Sequence, residues 1–275
     1  MKKDKKVPFY ITTIASLFNS LLFAPLELSS TRSKSINATT KSFKLLKELC
    51  KNEGTLSMWK GSSWFILSTG FSRSIWLTSY NKLKINMENI GYTQNYSIIV
   101  SSYLAGLTTA IISNPFWTLK SYSQLPNYPG FNTKTAKFFL NPKVLMSGVS
   151  PAMIYIPIES LSQLFIYEKL KKLYSNDNNS PFISGIFGGI SRTFILPFSY
   201  PLHIYTLRLR ENVKPIISFE KESYKINPSK ETFFQILKGI HQQKSWYNGL
   251  LPYAIRVSLQ STSLFFIYES FKKFF

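Results

Sequence analysis

Arg256 stands inside the apolar run "LPYAIRVSLQSTSLFFIYESFKK", and Glu269 stands near its end. A charge facing acyl chains costs about 2.5–3.5 kcal/mol even on the lenient insertion scales. A guanidinium here is therefore expected to face water, a carboxylate or an anionic solute, whose oxygens its planar fork fits. Gln260 and Leu264 follow it on one helical stripe by i, i+4 spacing. Arg73 and Arg192 are two further cations in apolar stretches. Each either enlarges the same positive site or sits between helices against backbone carbonyls.

The element that must carry Arg256 has two relatives in the chain. Residues 61–84 read "GSSWFILSTGFSRSIWLTSYNKLK", residues 148–171 read "GVSPAMIYIPIESLSQLFIYEKLK", and residues 249–272 read "GLLPYAIRVSLQSTSLFFIYESFK". The three align without gaps, each starting at Gly and sharing a Tyr and a final Lys. A helix of that length runs about 36 Å, enough to cross a hydrocarbon core of about 30 Å. Before each lies an apolar stretch ending in proline: 7–26, 89–119 and 181–202, with Pro25, Pro115 and Pro201 spaced by 90 and 86 residues. Self-similarity at a fixed period is a repeat architecture. The pattern predicts an all-α membrane protein with six transmembrane helices in three two-helix repeats, 1–88, 89–176 and 177–275, forming one integrated domain. The three prolines are expected to kink their helices, which neighbouring helices make tolerable.

Between the members of each pair lie basic linkers. Residues 30–60, 119–147 and 206–247 hold 19 of the 33 Lys and Arg. They fall on one side of an even-span topology, and the charge bias puts that side on the interior of the compartment. Two linkers predict amphipathic helices over 40–54 and 230–243, suited to an anionic leaflet. The opening "MKKDKKVPFY" is too short for a signal peptide and is not a clear transit peptide. Any organelle address is expected within the chain itself.

A formal charge of +20 asks for anionic partners, whether nucleic acid, membrane surface or solute. Long charge-free spans argue against a soluble nucleic-acid binder. One cysteine, Cys50, and two histidines exclude a disulfide framework and a cysteine metal cluster. No nucleophile–base spacing or phosphate loop suggests an enzyme, and no cofactor is called for.

With these elements placed, the chain resembles the mitochondrial carrier family over nearly its whole length. The family's signature Pro-x-[Asp/Glu]-x-x-[Lys/Arg]-x-[Lys/Arg] is matched in "PLELSSTR" at Pro25, Glu27 and Arg32, in "PFWTLKSY" at Pro115 and Lys120, and in "PLHIYTLR" at Pro201 and Arg208. Ser30, Trp117, His203 and Thr206 replace charged positions. A second signature is full in "EGTLSMWKG" (53–61), and a third appears as "YNKLK", "YEKLK" and "YESFK".

The resemblance implies transport of a small metabolite across the mitochondrial inner membrane, or that of a related organelle, by alternating access between two gates. It places Glu27, Lys120, Arg32 and Arg208 at the matrix gate, with Glu27–Lys120 as the one intact pair. The other couplings become Trp117 with Thr206 and His203 with Ser30. It places Glu168–Lys272, Glu269–Lys84 and Asn81–Lys171 at the cytoplasmic gate, so the outer closure is expected to be the stronger. Substrate contacts are expected from Arg256, Tyr155, Ile156, Ser68, Thr69, Glu159, Gln260 and Arg73. Arg256 either binds an anionic or nucleotide-like group or pairs with Glu159. The resemblance further implies a monomer, bound lipid (cardiolipin) at matrix-side helix ends and no nucleic acid. The competing reading, from the lost acids, is a degenerate carrier-like receptor or scaffold without transport.

Overall fold

The computed structural model describes residues 9–35, 42–125, 140–174, 181–212 and 233–274. Every regular element among them is helical. We label them α1 (Phe9–Leu22), α2 (Ala24–Lys34), α3 (Ser42–Glu53), α4 (Ser62–Asn89), α5 (Gln94–Gln124), α6 (Pro142–Leu145), α7 (Val149–Tyr174), α8 (Pro181–Phe194), α9 (Leu196–Asn212), α10 (Phe233–Gln242) and α11 (Leu250–Phe274). α1–α2 and α8–α9 each make one broken rod, so six rods stand side by side. They close a ring in the order α1/α2, α4, α5, α7, α8/α9, α11 and back to α1. The amphipathic segments expected over 40–54 and 230–243 appear as α3 and α10.

The radial polarity is inverted relative to a soluble protein. Phe18, Phe71, Ile112, Ile154, Phe198 and Leu259 face outward, where lipid is as apolar as they are. Inside the wall, buried hydroxyls dominate. Ser68, Ser102, Thr109, Ser113 and Ser160 each donate to the carbonyl one helical turn back. Small residues let backbones approach. A Cβ on Gly106 would lie 2.7 Å from Pro157 Cα, and Gly185, Gly188 and Gly189 pack α8 against Thr262 and Phe265 of α11.

The glycine that opens each long repeat segment has a structural reason. Gly61, Gly148 and Gly249 all sit at φ between +73° and +77°, the left-handed region that glycine adopts without strain. Each also seats the start of its helix against the next rod. Gly61 abuts Ser123 of α5, Gly148 abuts Thr206 of α9, and Gly249 abuts Ser30 of α2, with virtual Cβ contacts of 2.6–2.9 Å. The three contacts run round the ring in one sense.

The expected kinks at the prolines are corrected. The helices α2, α5 and α9 continue past Pro25, Pro115 and Pro201 by nine or more residues. Only Pro25 lies next to a break, at Phe23. Pro115 is interior to a continuous helix. The 60° bend in the fifth rod falls at Ile195, six residues before Pro201. Pro197 lies in the first turn of α9 just after that bend, where a missing N–H costs nothing. In addition, α5, α6–α7 and α11 are long and apolar enough by themselves to cross a membrane, and α8–α9 joins them as a bent pair. α1 falls short by length, and α4 because its Ser, Thr and Arg73 side chains lower its mean hydropathy.

Candidate functional site

The ring encloses a cavity of about 830 Å³. Its upper wall includes Lys84, Glu88 and Gln94, near the α4–α5 turn. Its floor includes Glu27, Lys34, Lys120 and Arg210. Eight Lys and Arg line it against four carboxylates. Below the floor the distal halves of α2, α5 and α9 touch one another and are almost wholly buried. The cavity is thus open on the side of the α4–α5 turn and shut on the side of the linker helices.

The shut end is built from the odd rods. Glu27 of α2 accepts from Lys120 of α5, whose Nζ also donates to Thr31 Oγ1 at 2.9 Å. Thr31 in turn donates to Gln124 Oε1 at 2.9 Å. The second oxygen of Glu27 lies 2.7 Å from Nε of Arg256, an ion pair aligned too poorly to count as a hydrogen bond. Arg256 also donates to Gln260 Oε1 at 2.7 Å. Glu27 is therefore one carboxylate shared by two cations from two other rods. Beside it, Lys34 rests on the faces of Tyr253 (4.2 Å) and Tyr200 (5.0 Å). That contact stabilises a buried ammonium when water is scarce.

Arg32 and Arg208 lie deeper. Arg32 donates to the Gln124 carbonyl at 3.0 Å and approaches Glu53 at 3.5 Å. Arg208 donates to Gln243 Oε1 at 2.9 Å. Both fasten an odd rod to the linker side rather than facing the cavity. Arg210 spends its guanidinium on neutral acceptors: Ser121 Oγ (2.9 Å), Asn114 Oδ1 (3.0 Å) and the Trp117 and Ser147 carbonyls (3.3 and 3.4 Å). It is a buried cation that ties α9 to α5 without a carboxylate.

The couplings expected at the substituted positions do not form. Trp117 donates to Ser72 of α4 at 2.7 Å, not to Thr206, because its ring points along α4. Thr206 turns back to the Leu202 carbonyl. His203 meets Glu159 at 2.7 Å, not Ser30. Glu159, 1% exposed, also accepts from Ser199 at 2.6 Å and pairs with Arg192 at 2.7 Å. It is satisfied there, which answers the alternative for Arg256: its partner is Glu27, not Glu159.

Of the expected substrate contacts, Tyr155, Ile156, Thr69, Glu159, Gln260, Arg73 and Arg256 line the cavity. Ser68 does not. It is fully buried in the wall and bonded to the Trp64 carbonyl, one residue out of phase with Thr69. Arg73 differs from every other cavity arginine. Among the described residues it has no carboxylate and no hydrogen-bond acceptor. Its guanidinium lies over the face of Trp76, 5.3 Å away, which itself stacks on Tyr80.

At the open end, Asn81, Lys84, Glu168 and Lys171 line the wall. Lys84 is paired along its own helix with Glu88 at 3.9 Å, and Lys171 lies 5.7 Å from the Tyr167 ring. The side chains of Glu269 and Lys272 lie outside the described residues. The expectation of a stronger outer closure does not describe this conformation, in which the inner end is the formed one. Lys34, Arg192 and Arg210 were not among the residues singled out as primary site candidates. Lys34 and Arg210 both lie nine residues after a repeat proline, and once the helix is carried past the proline that spacing puts them on the floor.

A family profile described as mitochondrial carrier protein matches residues 7–90. The chain is 25% identical over 248 residues to mitochondrial substrate carrier family protein M of Dictyostelium discoideum, covering 83% of this chain and 79% of that one. It is 26% identical over 261 residues to the mitochondrial RNA-splicing protein MRS3 of Saccharomyces cerevisiae, covering 87% and 79%. It is 22% identical over 288 residues to solute carrier family 25 member 36 of Gallus gallus, covering 94% and 88%. The three relatives are matched over 83%, 87% and 94% of this chain. The chain is therefore similar to mitochondrial carriers over most of its length, and its described helices include three, or four with the bent pair, that are long and apolar enough to cross a membrane.

Proposed function

We propose that this carrier moves a small anionic solute by alternating access, with the cavity alternately open to either face. The observation that carries the reading is the excess of cations over carboxylates around one cavity, with no hydrogen-bond acceptor for Arg73 among the described residues. A cation held ready in a cleft of low dielectric attracts and orients an anion. Arg73 is the receiving group on this reading. Arg256 is the coupling group, because an anion that draws it away leaves Glu27 with Lys120 alone. Glu27, Lys120 and the odd-rod ends then act as the matrix gate, and Glu168, Lys84 and Lys171 as part of the cytoplasmic one. A monomer suffices, since the whole cavity lies within one chain, and the basic matrix-side ends suit anionic lipid such as cardiolipin. Nothing in the reading requires nucleic acid.

The test is a thermal-shift screen of the purified carrier against phosphate-bearing and carboxylate-bearing metabolites, followed by counter-exchange of the hits in liposomes. Binding to the folded state raises its apparent melting temperature by mass action. Arg73→Gln should abolish the shift and cut exchange by at least about tenfold, the loss of one charge-assisted contact. Loss of acids at Trp117 and His203 favours a receptor or scaffold as the second reading. That reading predicts no exchange of any hit and no effect of Arg73→Gln.

A further inference from the structure

His203 occupies the place in the third repeat where the first carries Glu27. It does not fill that place as a spacer. Its Nε2 lies 2.7 Å from Glu159 Oε1, and both side chains line the cavity. The same carboxylate takes Ser199 on that oxygen and Arg192 on the other. An ionised carboxylate only accepts, so Nε2 carries its hydrogen and Nδ1 is left as the atom that takes a second proton. Arg192, Glu159 and a neutral His203 sum to zero charge. The same three groups with an imidazolium sum to plus one.

What faces the imidazole decides when the extra charge is tolerated. Across from it on α7 are Glu159 and the Tyr155 ring, 4.0 Å away. From α11 come Tyr253, its hydroxyl at 3.5 Å, and beyond it Arg256. Tyr200 and Arg210 share its own helix, and Arg192 reaches in from α8. Lys34 of α2 covers the Tyr200 and Tyr253 faces, and Lys120 of α5 lies on Glu27 beyond. α10 turns Lys238 and His241 to the outside. Within the cavity, then, one carboxylate holds the imidazole and several cations oppose its charging. Arg73 lines the same cavity as Arg192, Glu159 and His203, so an anion received at Arg73 shares that cavity with this cluster. Such an anion offsets the opposing cations and makes the imidazolium favourable. By linkage, the proton then tightens the anion by the same factor.

We propose that His203, held by Glu159, is a proton-binding site coupled to the anion site, so that the carrier moves a proton with its solute. This rests on the anion-transport reading above and adds the co-transported ion to it. The proton enters Nδ1 from the face to which the cavity is open and leaves from it to the opposite face. No bond to the solute is made or broken.

The two histidines of the chain make the test direct. His241→Gln, at an exposed position of α10, leaves His203 as the sole imidazole for nuclear magnetic resonance of histidine-labelled carrier in detergent. Sulfate is the probe, because it keeps its charge between about pH 6 and pH 8, with chloride at equal ionic strength as control. We expect saturating sulfate to move the His203 titration upward by about one pH unit. Sulfate should correspondingly bind several-fold tighter at pH 6 than at pH 8 by thermal shift, with about tenfold as the ceiling set by that displacement. His203→Asn should bind sulfate equally at both. Binding that is the same at both pH values, with the His203 resonance unmoved, overturns the proton site and leaves the anion reading standing. Absence of any sulfate effect beyond chloride overturns the anion reading, and the proton site with it. Where His203→Asn does not fold, the resonance of the His241→Gln carrier decides.

Discussion

Glu27 is the residue on which most charge depends. Removing its charge leaves Lys120 and Arg256 buried without a carboxylate, whereas removing Lys120 leaves Glu27 with Arg256. Breaking a buried pair by deleting one partner typically costs about 3–5 kcal/mol. Glu27→Gln should therefore destabilise the purified protein by about that amount, and Lys120→Met by distinctly less, as read from thermal unfolding in one detergent. Equal losses would show that Arg256 does not share the carboxylate. Sequence reasoning found Glu27–Lys120, because both stand in the repeated proline motif. It could not find Arg256–Glu27, which joins the last helix to the first across 229 positions by ring closure alone. Nor could it find Arg192–Glu159, since the choice between a cavity arginine and a wall arginine depends on the rotation of α8 about its axis.

The elements were more legible than their partners. Three gapless repeats with glycine at the start and tyrosine near the end announce α4, α7 and α11. Basic 3,4-spaced segments announce α3 and α10. The bend at Ile195 was hidden because Pro201 copies the register of Pro25 and Pro115, while Pro197, which has no equivalent in the other repeats, follows the break. The glycines carry a prediction at this scale. Gly61→Ala, Gly148→Ala and Gly249→Ala each place a methyl within 3 Å of the next rod on a backbone at positive φ. Strain of that kind is worth about 1–3 kcal/mol. Each should lower the melting temperature measurably, while Gly91→Ala, also at positive φ but with open space around it, should cost less. Similar losses at all four would mean that backbone conformation alone, and not the approach of neighbouring rods, fixes these positions.

As a whole the molecule presents one face of its cavity to solvent. On a Cys50→Ser background, Arg73→Cys should react with a membrane-impermeant thiol reagent added on the side of the α4–α5 turn. Ser30→Cys, buried where Gly249 seats on α2, should stay protected until the ring opens the other way. Labelling of both with equal speed would contradict a shut inner end.

Those glycine seats lock the inner end by shape. Each is a close fit of backbone to the neighbouring rod, with the Arg210 guanidinium beside the seat at Gly148, and the three stand alongside two buried carboxylates that join odd rods, Glu27 to Lys120 and Glu211 to Ser35. Added electrolyte screens attraction between charges but leaves steric fit untouched. An inner end held by three backbone seats together with buried carboxylates should open with only a weak dependence on ionic strength, because buried pairs are screened far less than exposed ones.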